Sequence, residues 1–465
     1  MISRSDTASG LTAAVLGAAV ILAWAARASA EPQPSAPTPP TLSDCVREAL
    51  AANPDLSAAR SRAAGAAQSA RAARGARLPQ VVGWSSYVAS DRPQRLAQPT
   101  LQGEPLRYET DLFESILETR MPLFDGGRLA GRQHAAQAAQ ATAEASAEAV
   151  RQDLLLSVTA TYLRALERQS VVEAAEASLR ALEGALDTAR AMEDVGRIPP
   201  LDRLKVEVRV AALRQRLSQA VRDRRLVLLH LGSLLGRPPD DPVAAVAPAD
   251  IPARVAPVPA EPAADAASRR PEVRALEHEA NRRRHELAAA SGERWPVLDA
   301  AARYTLRSVA GSGSGSDSSL DRNVGFATGM VTLRVPLFTG GQTGARIAEA
   351  RAALDEADAR LAAARLRAAE EVAQAAALVE EARERQRVAE AAVGQAEEAY
   401  GVETANYELG RGTVNDVLDA EAALFDARSD RAAARFDAGI GEVERERAEG
   451  RDLAAFLLGP ERNEP

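Results

Sequence analysis

The chain has a single cysteine, Cys45, in 465 residues. No disulfide can form within it, and no multi-cysteine metal site can exist. Cys45 reads as an ordinary buried thiol. Four scattered histidines argue against a histidine-based metal centre. Aromatic residues make up only 3 % of the chain, although 46 % is hydrophobic. Alanine supplies the difference, and alanine buries little area per residue. One large globular core is therefore excluded, and the composition suits long helices with closely approaching backbones. A net charge of −8 argues against nucleic acid as a partner. Beyond the N-terminus no stretch approaches 18 apolar residues, which predicts a mature chain without a transmembrane helix. No catalytic triad, phosphate loop or metal cluster is present, so the sequence offers no enzyme site and calls for no cofactor.

The first 30 residues read as a targeting segment. Arg4 precedes an apolar run from Leu11 to Ala26, and Ala28-Ser29-Ala30 is a small-x-small cleavage signature before Glu31-Pro32. This pattern predicts a signal peptide removed after Ala30. The competing reading, a membrane anchor, needs about 20 apolar residues, and the run is shorter. A Pro-rich leader follows over 31–41.

The remainder is a tandem duplication. Met121-Pro122-Leu123-Phe124-Asp125-Gly126-Gly127-Arg128 returns as Val335-Pro336-Leu337-Phe338-Thr339-Gly340-Gly341-Gln342. Val195-Gly196-Arg197 returns as Leu409-Gly410-Arg411, Leu78-Pro79 as Trp295-Pro296, and Asn53-Pro54 as Arg270-Pro271. Shared landmarks in the same order mark two homologous units. They are expected over 42–236 and 266–459, with a Pro/Ala-rich connector over 237–265 and a tail over 460–465.

Each unit reads as helix, strand, strand, very long helix, turn, helix. From Thr343 to Tyr407 there is no proline. Apolar residues recur every seventh position, from Ile347, Leu354 and Leu361 to Ala389 and Ala396, with a second column through Ala350, Ala357, Leu378 and Ala392. A sustained seven-residue period predicts coiled-coil packing. About 65 residues at ~1.5 Å each make a rod of roughly 100 Å. The first unit has the matching segment from Leu129 to Val195, with a weaker seam.

Strands are expected over about 80–91, 109–121, 295–309 and 323–336, each pair joined by a polar loop (Asp91 to Tyr108, and Gly311 to Asp321). In the last strand Gly325, Ala327, Gly329, Val331, Leu333 and Val335 share one face. Thr328, Thr332 and Arg334 fall on the other, with Phe326 and Met330. In 109–121, Leu117 and Met121 oppose Glu114, Glu118 and Arg120. Apolar outside and polar inside is the pattern of membrane-barrel strands, although half-buried soluble strands alternate in the same way. Four strands cannot close a barrel, for which roughly eight is the practical minimum. Either the sheet packs elsewhere or several chains pool their strands.

From Leu42 to Gly459 the chain resembles the TolC-type outer-membrane efflux proteins. The resemblance rests on the duplicated Pro-Leu-Phe-x-Gly-Gly and on a helical-tip motif, Tyr407-Glu408-Leu409-Gly410 through Thr413-Val414-Asn415-Asp416-Val417-Leu418-Asp419-Ala420. It implies a mostly helical fold with a small β part. Three chains would share a 12-stranded barrel in outer-membrane lipid, four strands each, above a long periplasmic helical tunnel. It implies a homotrimer, a periplasmic adaptor, an inner-membrane pump of RND, ABC or MFS class, and an exit duct for efflux or type I secretion. Glu114, Glu118, Arg120, Thr332 and Arg334 would then face the barrel interior.

The tip carries the remaining candidates. Asp416 and Asp419 are three apart on a helix and share a face. In a trimer, six such carboxylates at a constriction would attract cations. Thr413 is a good N-cap and Asp416 completes a capping-box pattern, so Asp416 can be both cap and lining. Asp202, after Pro199-Pro200, is the first-unit candidate. The resemblance adds Tyr407 as a gate residue. The family's usual arginine position holds Gly412, with Arg411 adjacent. Val195-Gly196-Arg197 and Leu409-Gly410, with Gly412, form the turns that the resemblance assigns to the adaptor. Gly196 and Gly410 also suit left-handed helix caps. The competing functional readings are a periplasmic coiled-coil adaptor or scaffold, which would be one hairpin with a compact β domain, and a passive porin, which would lack the rod.

Overall fold

A computed structural model of the chain describes residues 39–91, 94–96, 106–108, 111–249, 263–310 and 323–458. The expected signal segment, most of the leader, the Gly/Ser-rich loop after residue 310 and the tail lie outside the described residues. The elements run α1 Leu42–Ala52, α2 Pro54–Gly75, β1 Gln80–Ala89, β2 Gln94–Leu96, β3 Leu106–Tyr108, β4 Asp111–Phe124, α3 Arg128–Asp194 and α4 Pro200–Leu234. They continue with α5 Ala263–Ser268, α6 Pro271–Gly292, β5 Val297–Ala310, β6 Asn323–Arg334, α7 Gln342–Glu408, α8 Val414–Ala448 and α9 Leu453–Leu458.

The two halves repeat in length as well as in sequence. Both α3 and α7 have 67 residues, α4 and α8 have 35, and α2 and α6 have 22. The offset is 217 residues from α2 and β1 to α6 and β5, and 214 from β4 onward, because the second strand loop is shorter. Strand register repeats too: Gln80 faces Arg120 in the first hairpin, and Val297 faces Arg334, their counterparts, in the second. At ~1.5 Å per residue each 67-residue helix spans about 100 Å.

Glycine pairs make the change from strand to helix. Gly126 and Gly127 have φ of 65° and 84°, and Gly340 and Gly341 have 58° and 82°. Side chains rarely adopt such left-handed backbone, which explains why both copies keep Gly-Gly. In the first copy the strand runs on through Pro122 to Phe124 instead of stopping at the proline. Strand β1 has already ended at Gln80, opposite Arg120, so Pro122 has a neighbour on one side only, and the register shifts between Pro122 and Phe124. A missing donor is tolerated at such an edge or bulge. In the second copy β6 ends at Arg334, before Val335-Pro336. The loop from Asp91 to Tyr108 also contains a short ribbon, β2 paired with β3, that alternation did not reveal.

The main sheet is antiparallel in the order β1-β4-β5-β6. Below it the helices follow the same lateral order. Near the sheet α3 packs between α2 and α6, with α7 beyond α6; further down α3 packs between α4 and α8, with α7 beyond α8. Strand β1 with α2 and α4 therefore forms one margin, and β6 with α7 the other.

The seam on α7 differs from the expected one. Leu361, Ala368, Ala375, Ala382 and Ala389 are buried as the first column requires, and so is Ala357 of the second, but lower down the partners are Val379 and Val393, one position beyond Leu378 and Ala392. A seven-residue repeat can split as three plus four or four plus three. Below residue 375 the spacing is the latter, whereas Ala357, Leu361 and Ala368 pack against Ala267, Val273 and Ala280 of α5 and α6; Leu378 is exposed with Leu366, Val388 and Val402.

The largest core cluster lies at mid-length of the long helices. Leu155, Val158, Tyr162 and Leu163 of α3 pack against Cys45 and Val46 of α1, Leu231 and Leu235, Phe436 and Val443 of α8, and Leu453. Part of the connector is bound here. Val243 is buried, and the hydroxyl of fully buried Tyr162 lies 2.6 Å from the Ala247 carbonyl oxygen and 3.2 Å from that of Pro40. Burial pushes the Tyr162 hydroxyl up to about 12 and the Cys45 thiol up to about 11. Cys45 thus stays a protonated, inert packing group.

Candidate functional site

The sheet separates its two faces by chemistry. Register puts Glu114, Glu118, Arg120, Thr332 and Arg334 on one face. Asp299, Arg303 and Arg307 of β5 join them, at alternate positions of the strand, a signal the sequence itself carries. The groups interlock across strands. Glu118 holds Arg303 at 2.5 Å and Arg120 at 3.0 Å, and Glu114 holds Arg307 at 2.7 Å. The Arg303 guanidinium lies over the Trp84 ring at 5.9 Å and that of Arg307 over Phe326 at 5.2 Å. Each arginine is thus paired on one side and stacked on the other, an arrangement its planar, delocalised charge permits. The opposite face carries Val81, Leu117, Met121, Tyr304, Val331 and Leu333, all exposed. A sheet with charge on one face and exposed apolar side chains on the other suits a wall between water and lipid. No helix among the described residues is long and apolar enough to cross a membrane.

At the far end of the long helices the two hairpins turn by the same device. In each, a left-handed glycine follows the helix: Gly196 at φ 71° and Gly410 at φ 72°. The next N–H reaches back to the helix, from Arg197 to the Met192 carbonyl at 2.8 Å and from Arg411 to that of Asn406 at 2.8 Å. These are Schellman caps. They leave Val195, Gly196, Arg197, Leu409 and Gly410 exposed, with Gly412 half-buried. A Cβ at Gly412 would meet the Asn406 Cβ at 3.2 Å and the Tyr407 nitrogen at 3.3 Å, so this turn has little space for an arginine there. Arg411 is exposed, and its guanidinium has no hydrogen bond or ion pair among the described residues.

Helix α8 opens with a complete capping box. The Asp416 N–H donates to Thr413 Oγ1 at 3.3 Å, and the Asp416 carboxylate accepts from the Thr413 N–H at 2.9 Å and its hydroxyl at 2.7 Å. These bonds hold the Asp416 carboxyl below the usual carboxylate range. Asp416 and Asp419 are both exposed. Their first-unit counterparts are Asp202 and Lys205, which pair at 3.2 Å. Charge is therefore balanced at one tip and acidic at the other.

Tyr407 packs against the first unit's tip cluster around Leu182, Leu186, Val206 and Val210. Its hydroxyl is buried and pushed upward, first by burial and then by the negative charge of Asp202. Tyr407 and Asp202 thus come together across the two hairpins, while Asp416 and Asp419 stand apart on α8. Sequence reasoning missed Arg203, which bonds Glu193 at 2.5 Å and Glu207 at 2.7 Å and ties the ends of α3 and α4. It also missed Glu421, 2 % exposed, with Arg209 at 4.0 Å. Burial pushes the Glu421 carboxyl upward.

The profile of the outer membrane efflux protein family matches residues 45–237 and 263–443. No curated protein sequence matches the chain. Among solved structures, the outer-membrane channel OprN is 22 % identical, with a TM-score of 0.75 over 89 % of this chain and 90 % of that one. VceC of Vibrio cholerae is 21 % identical, with a TM-score of 0.74 over 89 % of this chain and 96 % of its own. The open-state MtrE channel of Neisseria gonorrhoeae is 21 % identical, with a TM-score of 0.72 over 89 % and 90 %. At these identities the structural likeness establishes the fold, and the family match sets aside the adaptor alternative. Matched by that profile over most of its length, the chain belongs to the outer membrane efflux protein family and is a non-enzymatic exit duct of the outer membrane.

Proposed function

We propose that three copies of the chain close into one conduit, which receives substrates from an inner-membrane pump through a periplasmic adaptor and releases them outside. The observation that carries this reading is the pair of open margins. Strands β1 and β6 each have an edge with no strand beside it among the described residues. Backbone inside a bilayer must be fully paired, so a membrane sheet cannot keep two bare edges. Copies joined head to tail remove both edges at once, and the ring closes when the rotation returns to the start. Three copies give twelve strands, enough for a barrel with a water-filled interior. The polar face, with Glu114, Glu118, Arg120, Thr332 and Arg334, lines that interior, and the apolar face meets lipid.

The helices carry the conduit about 100 Å below the barrel. At its end Asp416 and Asp419 face the opening, six carboxylates per trimer, with Tyr407, Asp202 and Arg411 in the surrounding gate. The turns at Val195-Gly196-Arg197 and Leu409-Gly410, with Gly412, present the surface the adaptor meets. Both turns are exposed and need no further partner for their own fold, which supports this role.

Charged residues at the turn tips test the adaptor role. Val195→Glu with Leu409→Glu changes two exposed side chains and should leave folding and trimer assembly unchanged. Export of the pump's substrates by a cell carrying only this variant should fall at least tenfold. Undiminished export would show that the adaptor docks elsewhere.

A further inference from the structure

The sequence scatters its four histidines, and the fold pairs two of them just below the sheet. His134 lies near the start of α3 and His285 in α6, with ring centroids 5.2 Å apart and planes inclined at 33°. His134 is exposed and His285 half-buried, so the pair is open to water. One turn nearer the sheet the two backbones come close: a Cβ on Gly131 would lie 2.9 Å from the Ala289 Cβ. Folding does not require the pair. The duplicated positions hold Ala348 and Gln68, in helices of the same lengths.

The ring spacing is that of two ligands on one ion. With a Zn–N bond of ~2.0 Å and a ring centre about 1.2 Å behind its nitrogen, two imidazoles on a tetrahedral ion hold their centres about 5 Å apart. The tautomer of His134 also fits. Its Nδ1 lies 3.2 Å from Gln137 Oε1, and an amide oxygen only accepts, so Nδ1 carries the proton. The Nε2 lone pair is left for a metal, and a hydrogen bond from the other ring nitrogen is what orients most metal-binding imidazoles. Three arginines, Arg282, Arg283 and Arg284, precede His285, but their charge is largely answered. The first two pair with Glu279 and Glu286, and the third with Asp358. Arg132 lines a separate groove with Arg282 and Arg346, to which neither histidine contributes.

We infer that His134 and His285 form a site for a divalent transition-metal ion of the class that imidazole binds, Zn²⁺, Ni²⁺ or Cu²⁺, with water completing its coordination. Mg²⁺ and Ca²⁺ are selected against, because they take oxygen ligands. Both ligands belong to one chain, so the site does not depend on the proposed ring. Two protein ligands give a modest affinity, and the site fills only when the ion is abundant. Its structural consequence is a cross-link between the repeats, since α3 belongs to the first unit and α6 to the second. An ion that binds the folded chain alone stabilises it by mass action.

The test is Zn²⁺ binding by the full-length protein in detergent, read by competition with a chromophoric chelator. Zinc has no redox chemistry and leaves Cys45 unoxidised. The parent chain should bind one ion at this site. His134→Ala and His285→Ala should each weaken binding at least tenfold, and the double variant should lose little more, because a bridge needs both ends. Gln137→Ala keeps both ligands and should weaken binding severalfold by freeing the His134 ring. His230→Ala, on α4, is the control and should change nothing. Saturating Zn²⁺ should raise the unfolding temperature of the parent and of His230→Ala, but not of the double variant. Protease resistance of the helices without metal reports that each variant folds. Absence of saturable binding by the parent would overturn the site. Loss in only one of the two single variants, or equal binding by the double variant and the parent, would overturn the bridge and leave the rings a packing contact.

Discussion

Gly126→Val should strongly destabilise the fold, whereas Gly340→Val, the same change in the second unit, should leave the chain folded and block its assembly. The two glycines share a left-handed backbone, for which any side chain costs about 1–2 kcal/mol. At Gly126 the new Cβ also overlaps the Gly292 carbonyl oxygen and Trp295. Overpacking of this kind adds about 1–3 kcal/mol, and the neighbour here is backbone, which cannot turn aside. A total near 3 kcal/mol or more is a large part of a typical domain's stability. At Gly340, on an open margin, nothing lies within 4 Å of the same position, so an overlap exists only with a second copy in place. Gly341→Val is the matched control: its φ is 82°, and neither Gly341 nor its counterpart Gly127 has anything within 4 Å. That variant should pay the backbone strain alone and still assemble. Protease resistance of the helices reports folding, and the trimer band on mild-detergent gels reports assembly. Normal trimers from Gly340→Val would contradict head-to-tail joining at that margin.

The second large effect is on ion selectivity. Asp416→Asn with Asp419→Asn removes six negative charges from the proposed constriction, and the cation-to-anion permeability ratio in planar bilayers should fall several-fold. Asparagine is the right substitute at 416. Its side-chain oxygen can still accept from the Thr413 N–H, whereas alanine would lose that half of the capping box. The same site sets a pH dependence. Asp416 titrates below the usual carboxylate range because Thr413 donates to its charged form. Its contribution is therefore complete above the ordinary carboxylate pKa and is lost only as pH falls through the depressed value. Cation preference should persist into acid, and Thr413→Ala should move its loss to higher pH. An unchanged ratio in the asparagine double variant would remove both residues from the gate.

Much of this architecture was legible in the residues. The repeated Pro-Leu-Phe-x-Gly-Gly marked the two strand-to-helix turns because only glycine fits φ near 60–80°, and that need is local. The Thr413-x-x-Asp416 box was legible for the same reason. Alternation sorted Glu114, Glu118, Thr332 and Arg334 onto one face because side-chain direction has period two whatever the sheet does. Non-local features stayed hidden. The pairing of Arg303 with Glu118 depends on the register between strands from different repeats, which neither strand encodes alone. Val379 replaced Leu378 in the seam because the neighbouring helix, not the heptad, decides which apolar stripe is covered. The strand could run past Pro122 because β1 ends two residues earlier, a fact about another segment. The grip of Tyr162 on Ala247 and Pro40 depends on the connector passing over it, which no local pattern around residue 162 encodes.

If several copies enclose one continuous aqueous passage, single-channel recording of the purified protein in planar lipid bilayers will reveal it. Discrete conductance steps are expected from a species that sediments as a trimer, cation-preferring and altered by Asp416→Asn with Asp419→Asn. A monomer that inserts without passing current would contradict it.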